Sequence, residues 1–132
     1  MEELAKFHGH LGPYIVLGYR MGRYALKYFG DNPFEIFATI WCSGKTPQSC
    51  IMDGIQLGSG CTFGKRNILL NISEYVEVMF RHADGRAILL KPREYRKHKS
   101  KYAEYEQEIA LEKFAEEMYF MSDSELFSIS IL

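Results

Sequence analysis

Apolar positions recur along this chain in two rhythms. Tyr14, Ile15, Leu17, Met21, Ala25, Leu26 and Phe29 keep the three-to-four spacing of an amphipathic helix. Pro13 suits the first turn of that helix, where its missing N–H costs nothing, and Gly30-Asp31-Asn32-Pro33 ends it. Gly18 and Gly22 lie four apart on one helix face. Each costs roughly 1 kcal/mol against alanine in a helix, so the pair predicts a close approach by a backbone or a ligand. Tight packing of two elements is the plainer reading. Residues 34–41 are aromatic, β-branched and almost continuously apolar, which predicts a buried inner strand delivering Cys42 to its C-terminal end.

Farther on the rhythm shortens to two. Residues 67–74 and 75–82 read as strand material, Ala83-Asp84-Gly85-Arg86 as a hairpin turn, and residues 86–91 as the returning strand, stopped by Pro92. A helical pattern returns over residues 95–121, basic at its start and acidic later. That order opposes the helix macrodipole, so this helix needs tertiary packing, expected through Tyr102, Ile109, Phe114 and Met118. Its basic cluster reads as a solvated face. Ser122 and Glu125 match a capping box, and residues 127–132 form a last β-prone run expected to pair within the sheet. His82, beside the hairpin turn, reads as an exposed strand-end residue.

Composition narrows the class. A chain of 132 residues fits one domain, spanning 1–132, and can bury a core without covalent staples. A net charge of −1 supplies no field for nucleic acid or a membrane surface, so neither partner is expected. No apolar run reaches the roughly 18 residues of a membrane-spanning helix, and the charged start is unlike a signal peptide. Three cysteines cannot all pair, so they are read as reduced and the protein as cytoplasmic.

Those cysteines, Cys42, Cys50 and Cys61, all fall within residues 42–67, among glycines and hydrogen-bonding side chains. Thr46 and Pro47 predict an N-cap and first turn, with a helix running to about Leu57. Cys50 then sits in the first turn, where unpaired N–H groups and the dipole favour the thiolate. Asp53 and Gln56 follow at successive steps of three, on the same helix edge. Taken alone, Cys50 reads better as a buried cysteine beside a solvated acid and amide. Residues 58–67 predict a glycine-rich loop that can aim backbone N–H groups at an anion, with Lys65 adding charge. The spacing is not that of a nucleotide phosphate loop. Cys61 in this loop is expected to be held on backbone rather than packed in a core. Upstream, His8 and His10 in an extended segment would point to one side, just ahead of a helix. Beside free thiols, that pair raises the case for a metal.

His8-Gly9-His10-Leu11 with Pro13, then Gly18-Tyr19-Arg20-Met21, Cys50 with Asp53, Ile55 and Gln56, and Gly60-Cys61-Thr62-Phe63-Gly64-Lys65 with Asn67 together resemble the FmdE family of formylmethanofuran dehydrogenase proteins. The resemblance covers nearly the whole chain. It implies an α+β domain with a mixed β-sheet of about five strands flanked by helices, commonly a homodimer. It also implies a metal and thiol site made from His8, His10, Cys50 and Cys61. Many relatives carry a cysteine where this chain has Gly12. Many also continue into a cysteine-rich zinc-binding module, whereas no cysteine follows Cys61 here, so any metal is expected in the core domain. Cys42 maps onto no position of the family pattern.

Three functions follow from these readings. The first is a metal-binding accessory or subunit-like protein associated with the subunits of a molybdenum or tungsten formylmethanofuran dehydrogenase, in a methanogenic setting. The second is a free-standing metal- or thiol-dependent enzyme acting on a small molecule. There His10, Cys50 and Cys61 would hold a divalent metal with one open position, and Asp53 or Lys65 would assist catalysis. Thiolate and imidazole donors favour zinc, with nickel or iron as alternatives. Gln56, Gly60, Thr62, Gly64 and Asn67 are the candidate ligand-binding positions. The third is a structural dimeric binding domain with inert cysteines.

Overall fold

The computed structural model describes residues 1–94 and 106–132. The helical pattern of residues 14–29 becomes helix α2 (Pro13–Phe29), with Gly12 as its extended N-cap and Pro13 in its first turn. A further helix, α1 (Glu2–His8), precedes it and closes on Gly9 in the left-handed region, φ 101°. The extended histidine segment expected from sequence is therefore half helical, because glycine at position 9 lets α1 run up to His8 and then turn sharply.

Strand β1 (Ile36–Cys42) follows a short 3-10 turn at Pro33–Glu35. A second 3-10 turn, Gln48–Cys50, leads into α3 (Ile51–Ser59), and then come β2 (Ile68–Ile72), β3 (Glu77–His82) and β4 (Ala87–Pro92). Helix α4 (Gln107–Tyr119), the short α5 (Asp123–Leu126) and β5 (Phe127–Ile131) complete the chain. The sheet order is β2-β1-β3-β4-β5, with β1 and β2 parallel and every other pair antiparallel. This is the expected mixed α+β architecture. Ser122 and Glu125 form the expected capping box, and β5 pairs with β4 as an edge strand.

Alternation along the strands puts Ile36, Ala38, Ile40, Val78, Phe80, Ile88 and Leu90 on the face that the helices bury. The opposite face is open among the described residues, with Phe37 43% and Leu69 49% exposed. β1 is an inner strand of the sheet, yet Phe37 on its outer face is exposed, which continuous apolarity does not reveal.

Helices α2 and α3 cross backbone to backbone. A Cβ on Gly18 would run into the Ile51 carbonyl oxygen, and one on Gly22 would sit 2.6 Å from the Ser59 nitrogen. Gly54 and Gly58 of α3 face the carbonyl oxygens of Ile15 and Tyr19 just as closely. Four glycines in two steps of four thus fix this packing, as the plainer reading expected, and α3 becomes the bridge between β1 and β2.

Residues 95–105 of the long helix expected over 95–121, Tyr102 among them, lie outside the described residues. Within α4, Phe114 and Met118 are buried, whereas Ile109 is 44% exposed, contrary to expectation. Only the C-terminal half of α4 packs its apolar stripe on the core. The unfavourable charge order is answered at that end by Arg20 of α2. Its guanidinium donates to the Met118 and Tyr119 carbonyl oxygens at 3.3 and 2.8 Å and to Asp123 at 3.0 Å. His82 is not an exposed end either: its ring stacks on Phe29, centroids 5.4 Å apart, and its Nε2 lies 3.1 Å from Glu35.

Candidate functional site

The turn from α1 into α2 brings His8 and His10 together. Their ring centroids are 4.9 Å apart. Asp53, on the first turn of α3, reaches across to His8, its Oδ2 lying 2.6 Å from the imidazole Nδ1. With Nδ1 engaged by a carboxylate, Nε2 is the His8 nitrogen left for another partner, an arrangement that fixes tautomer and ring orientation. Sequence spacing places Asp53 in the site as a catalytic group; the structure makes it the group that positions His8.

Cys50 stands at the junction of the second 3-10 turn and α3. The expected helix start at Thr46-Pro47 is not formed. The Thr46–Pro47 peptide is cis, and residues 43–50 fold back on themselves instead. The Gln48 side chain accepts the Ser43 N–H at 2.7 Å, and the Lys45 and Pro47 carbonyls accept the N–H groups of Ser49 and Cys50. Cys50 is thus the N-cap of α3 rather than a first-turn residue. Burial and the nearby Asp53 charge both push its thiol pKa up, so the thiolate expected from the helix dipole is disfavoured.

His8, His10 and Cys50 line one cavity of about 320 Å³. Tyr14 of α2 and two residues that sequence alone does not single out, Glu108 and Glu112 of α4, complete its chemistry. These glutamates are four apart on one helix face, the signal that could have marked them. Gly12 also borders the cavity, and a Cβ there would lie 3.3 Å from Cε1 of His10. A side chain at position 12 would therefore face His10.

Cys61 is not part of this cluster. It lies beyond the other end of α3, about 13 Å away for a nine-residue helix, fully buried with its thiol directed to the Ile36 carbonyl at 3.4 Å. Burial raises its pKa. It is a core residue, contrary to the expectation of a cysteine held on backbone. Cys42 is likewise buried, at the end of β1, and all three cysteines are free.

The glycine-rich loop that carries Cys61 consumes its own donors. The N–H of Thr62 goes to Asn67 at 2.8 Å, that of Phe63 to Gln56 at 3.1 Å, and that of Lys65 to the Thr62 hydroxyl at 3.2 Å. The Lys65 ammonium donates to the same hydroxyl at 2.9 Å, and the Asn67 amide holds the Pro33 and Ile36 carbonyls. Gln56, Gly60, Thr62, Gly64, Lys65 and Asn67 therefore build a braced loop rather than an open anion cradle. Side chains satisfying backbone groups within a loop produce the same sequence pattern as a nest and differ from it only in three dimensions.

The cavity residues suit a divalent metal in their chemistry. Two imidazoles on one tetrahedral ion stand about 5 Å apart, ring centre to ring centre, given metal–nitrogen distances near 2 Å. Among the described residues, however, no three His, Cys, Asp or Glu side chains are gathered closely enough to hold an ion.

A family profile described as "FmdE, Molybdenum formylmethanofuran dehydrogenase operon" matches residues 7–128. This chain belongs to the FmdE family. The match begins at Phe7 and ends within β5, so it takes in the histidine pair, Cys50 and the α4 glutamates of the cavity. A curated relative of the FmdE chain is the "Probable S-adenosyl-L-methionine-binding protein" of Archaeoglobus fulgidus, 29% identical over 91 residues. The alignment covers 63% of this chain and 24% of that protein, so the FmdE chain spans about a quarter of the relative's length. No helix among the described residues is long and apolar enough to cross a membrane.

Proposed function

We propose that this FmdE chain is a cytoplasmic, metal-binding accessory protein of formylmethanofuran dehydrogenase, working in methanogenesis as a homodimer, with the His8–His10–Cys50 cavity as its site. The carrying observation is the convergence of two imidazoles, one of them oriented by Asp53, and one accessible thiol on a single cavity. His8 and His10 would hold a divalent metal, zinc favoured and nickel or iron as alternatives, with Cys50 of the same cavity as the third donor. Such an ion would supply Lewis acidity at an open position. Asp53 holds His8 in the tautomer that offers Nε2, and Leu11 and Pro13 add apolar surface to the same cavity.

Elemental analysis of anaerobically purified protein tests this reading. About one metal per chain is expected in the wild type, lost in Cys50→Ser and His10→Ala and kept in Cys61→Ser. Metal-free wild type would sink it. Co-purification with molybdenum or tungsten enzyme subunits tests the association, and sedimentation tests the homodimer.

The cavity volume favours a second reading, in which the chain works alone on a small organic molecule. The name of the Archaeoglobus fulgidus relative makes S-adenosylmethionine the first compound to titrate. Absence of saturable heat in calorimetry would remove that compound.

A further inference from the structure

We propose that Phe34 and the loop of residues 60–67 form a docking surface for an acidic segment of another protein, one presenting carboxylates beside apolar side chains. The inference leaves the cavity aside. It rests only on the part of the proposed function in which the chain works with a partner, and it names the surface that would hold that partner.

Phe34, in the 3-10 turn before β1, is 79% exposed, and Phe63, in the loop between α3 and β2, is 67% exposed. A cation lies over each ring. The Lys65 ammonium is 5.6 Å from the centroid of Phe34, and the Arg66 guanidinium carbon is 4.9 Å from that of Phe63. Among the described residues neither cation is paired with a carboxylate. Glu94 and Glu106, which flank residues 95–105, both lie toward the Cys42 end of β1, whereas this loop lies at its Ile36 end. The surface is held from beneath by the hydrogen bonds that brace the loop. Asn67 ties it to Pro33 and Ile36, Gln56 accepts the Phe63 N–H, and the Asn32 side chain accepts the Phe34 N–H at 3.1 Å. Two aromatic rings and two cations are thus fixed in advance, so a partner has little loop ordering left to offset.

Charge and the state of the ring faces decide the occupant. Aromatic side chains with arginine are the residues enriched at protein contacts, and rings left in water gain by being covered. Two cations in the same patch call for carboxylates, which a guanidinium can take through two parallel hydrogen bonds. The positive edges of the phenylalanine rings favour the same charge. A nucleic-acid strand would need ring faces for its bases and a track of cations for its phosphates. Here a cation already lies over each ring, and the net charge of the chain is −1. A wholly apolar partner would cover the rings and strip water from both cations without answering them. A segment that mixes carboxylates with apolar side chains satisfies every part of the surface.

The probe is a short, end-blocked peptide of aspartate and leucine, compared with a counterpart in which asparagine replaces every aspartate. Each is titrated into the isotope-labelled full chain and followed by amide chemical shifts. Shifts are expected at Phe34 and residues 60–67, with the acidic peptide binding about tenfold tighter than its amide counterpart. Arg66 has φ 61°, a left-handed conformation that suits glycine, so Arg66→Gly removes the guanidinium without disturbing the backbone. Arg66→Gly and Phe63→Ala should each weaken the acidic peptide about fivefold or more, while unfolding midpoint and metal content stay close to wild-type values. Oligouridylate should leave the patch unshifted. Equal affinity for the two peptides, shifts confined to other surfaces, no saturable binding, or an affinity unchanged in either variant would each overturn the proposal. Oligouridylate binding at Phe34 and Phe63 would overturn it too, assigning the surface to RNA. Neither variant touches the cavity, so any of these results leaves the metal reading where it stands.

Discussion

Among single residues, the site is governed by what surrounds each ionisable group. Cys50 has burial and a neighbouring carboxylate acting in the same direction, so its thiol stays protonated to higher pH than an ordinary cysteine. Its alkylation by iodoacetamide should be slow at neutral pH and rise late. Asp53→Asn removes one of the two raising causes, so the rate profile of Cys50 should move to lower pH, read by mass spectrometry of the Cys50 peptide. An unshifted profile would mean that burial alone sets the thiol. Cys61 should react only on unfolding, because the core covers it completely. Asp84 shows the opposite shift. Hydrogen bonds from the Arg86 side chain and backbone lower its pKa from 3.8 to about 2. A carboxylate depressed on folding adds stability above its unfolded pKa and loses it as pH falls through the folded value. The advantage of wild type over Asp84→Asn should therefore be present above about pH 4 and lost as pH falls through about 2, as followed by urea unfolding across that range. Residue types gave these pairings away only in part. Asp53 stands out beside Cys50 in the sequence, but its partnership with His8, 45 positions upstream, depends on where α1 ends.

Among the helices and strands, glycine spacing determines how α2 and α3 meet. Gly54 lies against the Ile15 carbonyl and the Tyr19 nitrogen, so any side chain there must push two helix backbones apart. Gly54→Ala should cost about 3 kcal/mol or more despite alanine's better helix propensity. Gly64 has open space around its Cβ direction, and Gly64→Ala should be nearly neutral. Denaturant unfolding of the two variants checks the contrast, and similar losses in both would contradict it. The displacement of α2 and α3 would also move Asp53 from His8, so Gly54→Ala should lower metal affinity as well. The pair Gly18 and Gly22 was legible as close packing, and the structure adds Gly54 and Gly58 as the facing pair. The replacement of the expected helix start at Thr46 by a 3-10 turn was not legible, because it follows from hydrogen bonds between Ser43, Lys45, Pro47 and Gln48 that only the folded loop makes.

Across the molecule, the cavity is a product of three segments far apart in sequence: the passage from α1 into α2 with His8, His10 and Tyr14, the 3-10 turn ending at Cys50, and α4 presenting Glu108 and Glu112. Ligands that bind only this assembled form stabilise it by mass action. Zinc at a hundred times its dissociation constant should raise the unfolding free energy by about 2.7 kcal/mol, an increase absent in Cys50→Ser. Calorimetric unfolding with and without chelator measures it, and zinc-independent stability would count against the site. The α+β class, the strands, the hairpin, the capping box and the family were all readable from residue order, because they rest on local periodicity, turn chemistry and motif spacing. His8, His10, Cys50 and Asp53 were named the same way. The folded chain was needed to show that Cys61 belongs to the core, that the glycine-rich loop braces itself, and that α4 supplies acidic residues to the cavity. The physical reason is the same in each case. A thiol, an amide or a carboxylate has one local signature whether it faces a ligand, a backbone group or solvent, and only the path of the chain chooses its partner.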